Sequence, residues 1–278
     1  MDFGGKTVVV TGAASGIGRE IARAFARRGA RLAIVDIAEA RLAGVREELE
    51  TMGVEARAHV VDVARAEEVR ELCDAVYREM GRVDVLCNNA GVGIGGSFES
   101  ATLADWEWIV GVNLWGVVHG CHFFYPRMVE QGGGGHIVNT ASGAGLAPLP
   151  FMTAYCCTKY AVVGFSETLR AEAALHGIGV SAICPGIVDT PITRAAKLTS
   201  GTDRSTPQEL QERIARFYER RGYTPDRVAA AVVRAVERNR GVVPVCPETY
   251  VGDFVHRASR RLNDANLRRS VKAFLKWL

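Results

Sequence analysis

No C-x-x-C pair occurs among the seven cysteines, at 73, 87, 121, 156, 157, 184 and 246, so the spacing of zinc knuckles and dithiol redox centres is missing. Their odd number and scatter point to reduced thiols. No G-x-S-x-G is present, which leaves a serine hydrolase of that kind without its nucleophile turn. No stretch reaches the roughly 18 apolar residues of a membrane span; the apolar region near 108–125 is broken by Asn113, His119, His122 and glycines. The opening MDFGGKTVVV has neither the basic segment nor the apolar run of a secretory signal. Charge of one sign is also scarce. A net charge of +3 on 278 residues is too small for the basic field of a nucleic-acid binder. These absences predict a soluble, cytoplasmic protein with no nucleic-acid partner.

What is present is the composition of a globular protein, 48% hydrophobic and 23% charged. Short β-branched runs alternate with helix-period segments. KTVVVTG, RLAIVD, ARAHVVDV, VDVLCNNAG, GHIVNTAS, VSAICPG and GVVPV read as seven strands. Helices are expected near 16–28, 38–52, 65–80, 102–128, 153–176 and 225–239. Strands joined by helical crossovers form a mostly parallel sheet with helices on both faces, an α/β doubly wound, Rossmann-like single domain. The four glycines at 132–135 read as a turn before a strand. Residues 187–222, with Pro191, Pro207 and many charges, interrupt the alternation after a strand end, where such folds bind ligands, and form a candidate lid.

The first strand runs into TGAASGIG, with Gly12, Gly16 and Gly18 around Ser15 and Ile17 as a helix begins. Glycine lets backbone turn sharply and approach a phosphate, and the free N–H groups and dipole of a helix start attract the anion. The second strand ends in Asp36, placed to accept hydrogen bonds from a ribose diol. A carboxylate about 4 Å from a 2′-phosphate would repel it by roughly 4 kcal/mol per charge at an effective dielectric near 20. NAD is therefore favoured. Ile37 and Ser15 offer no cation to a phosphate, and Arg19 and Arg41 are the residues through which NADP would be accepted.

Tyr155 and Lys159 lie four apart on an expected helix and share a face. An ammonium about 5 Å from a phenol contributes roughly 3 kcal/mol at a dielectric of 20, worth about two pKa units. That brings Tyr155 toward working pH, where it can take the hydroxyl proton of an alcohol or give one to a ketone. Ser142, just past a strand end, can hydrogen-bond the substrate oxygen. Cys156 and Cys157 lie between Tyr155 and Lys159. Helical neighbours point about 100° apart and adjacent Cα atoms sit closer than disulfides prefer, so small apolar filling suits them better than a redox pair; a regulatory thiol is the alternative.

TGAASGIG, Asp62 with Val63, the N-N-A-G at 88–91, Asn113 in N-x-x-G, Ser142, Y-x-x-x-K at 155–159 and the P-G at 185–186 stand in order and spacing that resemble the short-chain dehydrogenase/reductase family, over about residues 5–245. The resemblance implies that Asp62 and Val63 meet the adenine and that Asn89, Ala90 and Gly91 line the cofactor near its ribose. It implies that Pro185, Gly186, Val188 and Thr190 flank the nicotinamide, that Lys159 holds the nicotinamide ribose beside Tyr155, and that Asn113 organises a water relaying protons to Lys159. Purely structural bonding is the alternative for Asn113. Val92, Ile94, Leu146, Leu149, Phe151, Ile187, Val188, Phe217 and Tyr218 would face the substrate by the same analogy. They are mainly apolar.

The expected activity is thus NAD-dependent interconversion of a secondary alcohol and a ketone on a bulky hydrophobic substrate such as a steroid, terpenoid or acyl compound. A 3-oxoacyl-carrier-protein-type reductase and a non-turning-over NAD sensor or scaffold are the alternatives. The resemblance implies a homodimer or homotetramer associating through helices 102–128 and 153–176. His119 and His122 have metal-like spacing but no third ligand, so no metal is expected. Residues 1–253 are expected to form the NAD-binding domain and 254–278 a basic helical extension. In that tail seven basic residues face Asp264 alone, a net +6, which leaves −3 for the rest of a chain totalling +3. Apolar residues at 267, 271, 274, 275 and 278 form a helical stripe. Docking on the body or another subunit is one expectation for it, and contact with a membrane surface is the other.

Overall fold

The computed structural model describes residues 2–199 and 206–277. Residues 200–205 of the expected lid and Leu278 lie outside the described residues, as do the side chains at 274 and 275 in the tail stripe.

Seven parallel strands form one sheet: β1 (Thr7–Thr11), β2 (Arg31–Asp36), β3 (Ala56–Val60), β4 (Val85–Asn88), β5 (Gly135–Thr140), β6 (Ile178–Cys184) and β7 (Val242–Pro244). Their spatial order is β3-β2-β1-β4-β5-β6-β7. The chain winds outward from β1 to β3, then crosses back to place β4 on the other side of β1, with Val10 opposite both Ile34 and Cys87. A crevice for ligand opens where the winding reverses, at the carboxyl ends of β1 and β4.

Period-two alternation sends the buried β1 side chains to two cores. Val8 and Val10 pack with Ile21, Phe25, Leu32, Ile34, Val228 and Val232. Val9 packs with Val69, Leu72, Leu86, Val117, Phe124, Ile137 and Val162 on the opposite face. Each fully buried side chain of this size contributes about 1.5–3 kcal/mol, which is why the strands read as unbroken apolar runs. The first core lies under α1 (Gly16–Ala26) and a late helix, Pro225–Glu237; the second lies under α3 (Ala66–Met80) and the helices around Asn113 and Lys159. Between them in the chain runs α2 (Glu39–Thr51).

The helix expected over 102–128 divides. Thr102 and Asp105 form a capping box that starts α4 (Leu103–Val110), a π-turn follows over Gly111–Trp115, and α5 (Gly116–Glu130) continues. The wider turn, common at functional sites, re-aims Asn113. Next comes α6 (Thr153–Ala173), which carries Tyr155 and Lys159.

The insertion holds a short helical turn at Ile192–Ala195, a two-residue strand Lys197–Leu198 paired with Ile94–Gly95, and α7 (Pro207–Arg221). It is followed by α8 (Pro225–Glu237). Lys197 forms an ion pair with buried Asp105, and the Ser100 and Thr199 hydroxyls hydrogen-bond at 2.7 Å, so the insertion is fastened to the first turn of α4. The boundary expected at 253 falls within α9 (Pro247–Ala258), which begins directly after β7 and leads into α10 (Arg260–Trp277).

Candidate active site

At the carboxyl end of β1 the chain turns through Gly12, φ 67°, into the glycine-rich loop. A Cβ on Gly18 would stand 2.1 Å from the Gly12 carbonyl, so no other residue fits where α1 crosses that loop. Asp36 ends β2 with one carboxylate oxygen accepting from the Ala14 N–H at 3.0 Å and the other from the Ala38 N–H at 2.9 Å. The carboxylate is thereby fixed beside the loop. Ile37, 67% exposed, follows it. A cavity of about 790 Å³ lies against Ser15, Gly16, Arg19, Arg41 and Pro191, and Tyr155 is not among its lining residues. Arg19 is paired there with Glu48 at 2.8 Å, a carboxylate that Arg23 also holds at 3.1 Å; Arg41 is exposed.

Asn89 ties the crevice together rather than reaching into it. Its amide donates to the Thr11 carbonyl at 3.0 Å, its oxygen accepts from the Thr140 hydroxyl at 3.3 Å, and its backbone N–H and that of Ala90 both reach the Thr11 hydroxyl. Asp62 holds its own turn through the Ala64 N–H at 3.0 Å, with Val63 buried behind it. On the far side, Gly186 donates to the Cys246 sulfur and Ile187 donates to Glu248 Oε1 at 2.8 Å, while Val188 and Thr190 are buried.

At the reacting end Asn113 is wholly buried. Its oxygen accepts from the Val92 N–H at 2.8 Å and its amide donates to the Val92 carbonyl at 2.9 Å, so the side chain pins the segment after Gly91. A longer contact of 3.4 Å runs from the same amide to the Thr158 hydroxyl. A Cβ on Gly91 would stand 3.2 Å from Asn113 Oδ1 and 3.7 Å from Lys159 Nζ, which brings these three residues to one point.

Lys159 is buried, with Nζ donating to the Thr140 carbonyl at 2.9 Å. Burial pulls its pKa down to about 8, which still leaves it mostly charged at neutral pH. Nζ lies 5.7 Å from the Tyr155 ring centre. The Ser142 hydroxyl sits beside the Tyr155 hydroxyl and lowers the phenol's pKa, but burial pushes harder in the other direction and sets it at about 12. Burial is the largest influence on this phenol, and it acts against the lowering that the sequence leads one to expect from Lys159.

The space-filling role suits Cys156, whose sulfur is buried between helix and loop and accepts from the Leu149 N–H at 3.4 Å, while Cys157 points outward. His119 bonds the Val63 carbonyl at 3.0 Å, and the His122 ring stands edge-on to Phe123.

The residues expected to face substrate divide. Ile94 and Leu146 are buried, Leu149 and Phe217 are about half exposed, and Tyr218 is near enough to Tyr155 to raise its pKa. Phe151 adopts φ 63°, an unusual backbone for a bulky residue, with its carbonyl accepting from Gly96 N–H at 2.8 Å. It lines a void of about 20 Å³ with Ile94 and Trp106, too narrow for a bulky alcohol. Sequence reading missed Thr140 and Glu248. The Thr140 carbonyl and hydroxyl serve Lys159 and Asn89; its position at a strand end is the available signal. Glu248 joins Ile187 to Arg221, 2.5 Å from its other oxygen, and nothing local in PETY announces a partner 61 residues upstream.

A phenol, a hydroxyl and a buried ammonium at the switch point of a doubly wound sheet, beside a glycine-rich helix start, complete the geometry. Residues 6–200 match the family described as short chain dehydrogenase. The chain belongs to the short-chain dehydrogenase family. It resembles "Probable oxidoreductase EphD" of Mycobacterium tuberculosis at 43% identity over 249 residues, 89% of this chain and 42% of the relative. The chain thus spans less than half of that relative's length. "Putative oxidoreductase SadH" of the same organism is 34% identical over 279 residues, 99% of this chain and 98% of the relative. A Burkholderia phymatum short chain dehydrogenase/reductase solved in complex with NAD superposes with a TM-score of 0.86 at 34% identity, covering 94% of this chain and 96% of the other. A Thermococcus sibiricus alcohol dehydrogenase complexed with 5-hydroxy-NADP superposes with a TM-score of 0.71 at 30% identity, covering 86% and 94%. Both neighbours share this fold, one solved with NAD and the other with 5-hydroxy-NADP.

Proposed function

We propose that this short-chain dehydrogenase uses NAD to interconvert a secondary alcohol and a ketone on a bulky, mainly apolar substrate. The observation that carries the reading is the convergence of the Tyr155 and Ser142 hydroxyls above buried, charged Lys159. Asp36, fixed by two backbone N–H groups and followed by exposed Ile37, supports NAD over NADP, because a carboxylate suits a ribose diol and repels a phosphate. Gly12, Ser15, Gly16, Ile17 and Gly18 would hold the pyrophosphate, Asp62 and Val63 the adenine, and Gly91 with Pro185 to Thr190 the nicotinamide. NAD supplies the hydride acceptor or donor.

The chain's own residues handle the proton. With its pKa near 12, Tyr155 is protonated at neutral pH, so it stands ready to donate to a ketone oxygen. Oxidation of an alcohol needs the phenolate and should accelerate as pH rises. Ser142 reaches the Pro185 carbonyl only at 3.4 Å, a bond long enough to exchange for one to substrate. Lys159, held by Thr140, supplies the charge that favours the phenolate once the proton has left.

Substrate would enter between Leu149, Ile187 and the insertion. Helices α5 and α6, with Trp115 about half exposed, would form the surface of a homodimer or homotetramer. The test is the absorbance of reduced nicotinamide across a panel of steroid, terpenoid and acyl alcohols and ketones. Tyr155→Phe should retain NAD binding and lose turnover by about a hundredfold or more. Undiminished turnover in that variant would end the proposal.

A further inference from the structure

Helix α9 meets the body along one face and leaves the other bare. Thr249 is buried against Gly143, a Cβ on Gly252 would touch Ala147 at 3.4 Å, and the His256 ring lies 6.1 Å from that of Tyr160. On the opposite side Tyr250, Val251 and Phe254 are 53%, 64% and 73% exposed. Helical spacing puts these three within about 100° of arc, so they form one apolar strip.

Helix α10 continues from this strip and packs against α9. Arg261, Arg268, Arg269 and Lys272 on it are exposed, as is Arg257 at the end of α9, whereas Leu267 and Val271, four apart, share a half-covered side. The charge is concentrated here: residues 254–278 sum to +6 in a chain whose other residues sum to −3. The body's net negative charge would draw this segment back onto it, yet Arg261, Arg268, Arg269 and Lys272 stand exposed. Exposed aromatic and aliphatic side chains beside a cluster of cations match the boundary between acyl chains and anionic headgroups. Among the described residues no helix is long and apolar enough to cross a membrane, so the contact is with its surface.

We propose that α9 and α10 form a docking surface for an anionic lipid bilayer, with Tyr250, Val251 and Phe254 entering the interface and Arg261, Arg268, Arg269 and Lys272 meeting the headgroups. The site lies beside the Gly143 turn that follows Ser142, so a docked chain would present its reacting end close to the lipid. The surface itself stands independently of the proposed activity, because its test reads binding and not turnover.

The test is sedimentation of the full chain with vesicles of phosphatidylcholine alone or mixed with phosphatidylglycerol, at low and high salt. The expected result is pelleting with the mixed vesicles only, weakened by salt over the range where the Debye length shrinks. Reversing three charges, Arg268→Glu with Arg269→Glu and Lys272→Glu, should lower the partition coefficient at least about tenfold, since each basic residue near such a surface is worth roughly a fivefold factor. The pair Val251→Ser and Phe254→Ser should lower it about tenfold as well while leaving the thermal midpoint unchanged. Equal pelleting with both vesicles, no pelleting with the anionic ones, or indifference to both sets of substitutions would overturn the proposal. So would a change of oligomer size in lipid-free solution on introducing the serine pair, because the strip would then belong to a second copy of the chain.

Discussion

Ser142→Ala isolates the hydroxyl that opposes burial at Tyr155. Two interactions are lost. One is the hydrogen bond to the phenol, which matters most when the phenol is ionised; a hydrogen bond to a charged group is worth about 1.5–3 kcal/mol. Divided by the 1.4 kcal/mol or so that a tenfold change represents, this moves the phenol's apparent pKa up by about one to two. The other is the bond from the Ala144 N–H to Ser142 Oγ at 3.1 Å, a cap on a short turn worth about 0.5–2 kcal/mol to stability. The assay is kcat/KM for alcohol oxidation as a function of pH. The wild-type curve should climb through the alkaline range, because the folded phenol has a raised pKa and the reactive phenolate appears only as pH rises. In the variant the curve should shift to higher pH and lie about ten- to a hundredfold lower near neutrality. Ser142→Thr, which keeps the hydroxyl, should restore most of the rate, and the thermal midpoint separates the cap from the chemistry. A profile that stays in place, or shifts to lower pH, would refute the claim that this hydroxyl stabilises the phenolate.

Three further perturbations follow. Glu248→Gln removes the charge that holds Arg221 and weakens its acceptance of the Ile187 N–H, so KM for NAD should rise about tenfold with kcat nearly unchanged; an effect on kcat alone would assign Glu248 elsewhere. Asp36→Ala removes a repulsion of roughly 4 kcal/mol toward a 2′-phosphate and should raise kcat/KM with NADP while lowering it with NAD, and a loss with both cofactors would show that the carboxylate only braces the Ala14 and Ala38 N–H groups. Buried His136 has its pKa pulled down to about 4 by desolvation, below the unfolded value near 6.5, so the unfolded chain binds the proton first and stability falls as pH drops through that window. The loss amounts to about 3 kcal/mol; denaturant unfolding of His136→Asn should show a correspondingly smaller difference between pH 7 and pH 4, and an identical pH dependence would remove His136 as the cause.

What the sequence disclosed depended on how local its cause is. The β1 run and the glycines after it were legible because one strand buried on both faces needs consecutive apolar residues, and because a Cβ on Gly18 would overlap a carbonyl only six residues away. Tyr155 and Lys159 were legible as a pair because helical pitch alone aligns residues four apart. The balance of forces on that pair was not legible. Thr140 accepts from Lys159, the Ser142 hydroxyl lowers the phenol's pKa and Tyr218 raises it; β5, the following turn and α7 bring these in from three places in the chain, and no property of Y-C-C-T-K reports them. Asn113 makes the same point. Its residue type and spacing marked it, while its bonds to the Val92 backbone, 21 residues upstream, arise at the π-turn that divides α4 from α5. Spacing therefore identified which groups meet, while their proton affinities were decided by long-range packing: the covalent pattern names the acid, and the surrounding fold determines the pH at which it acts.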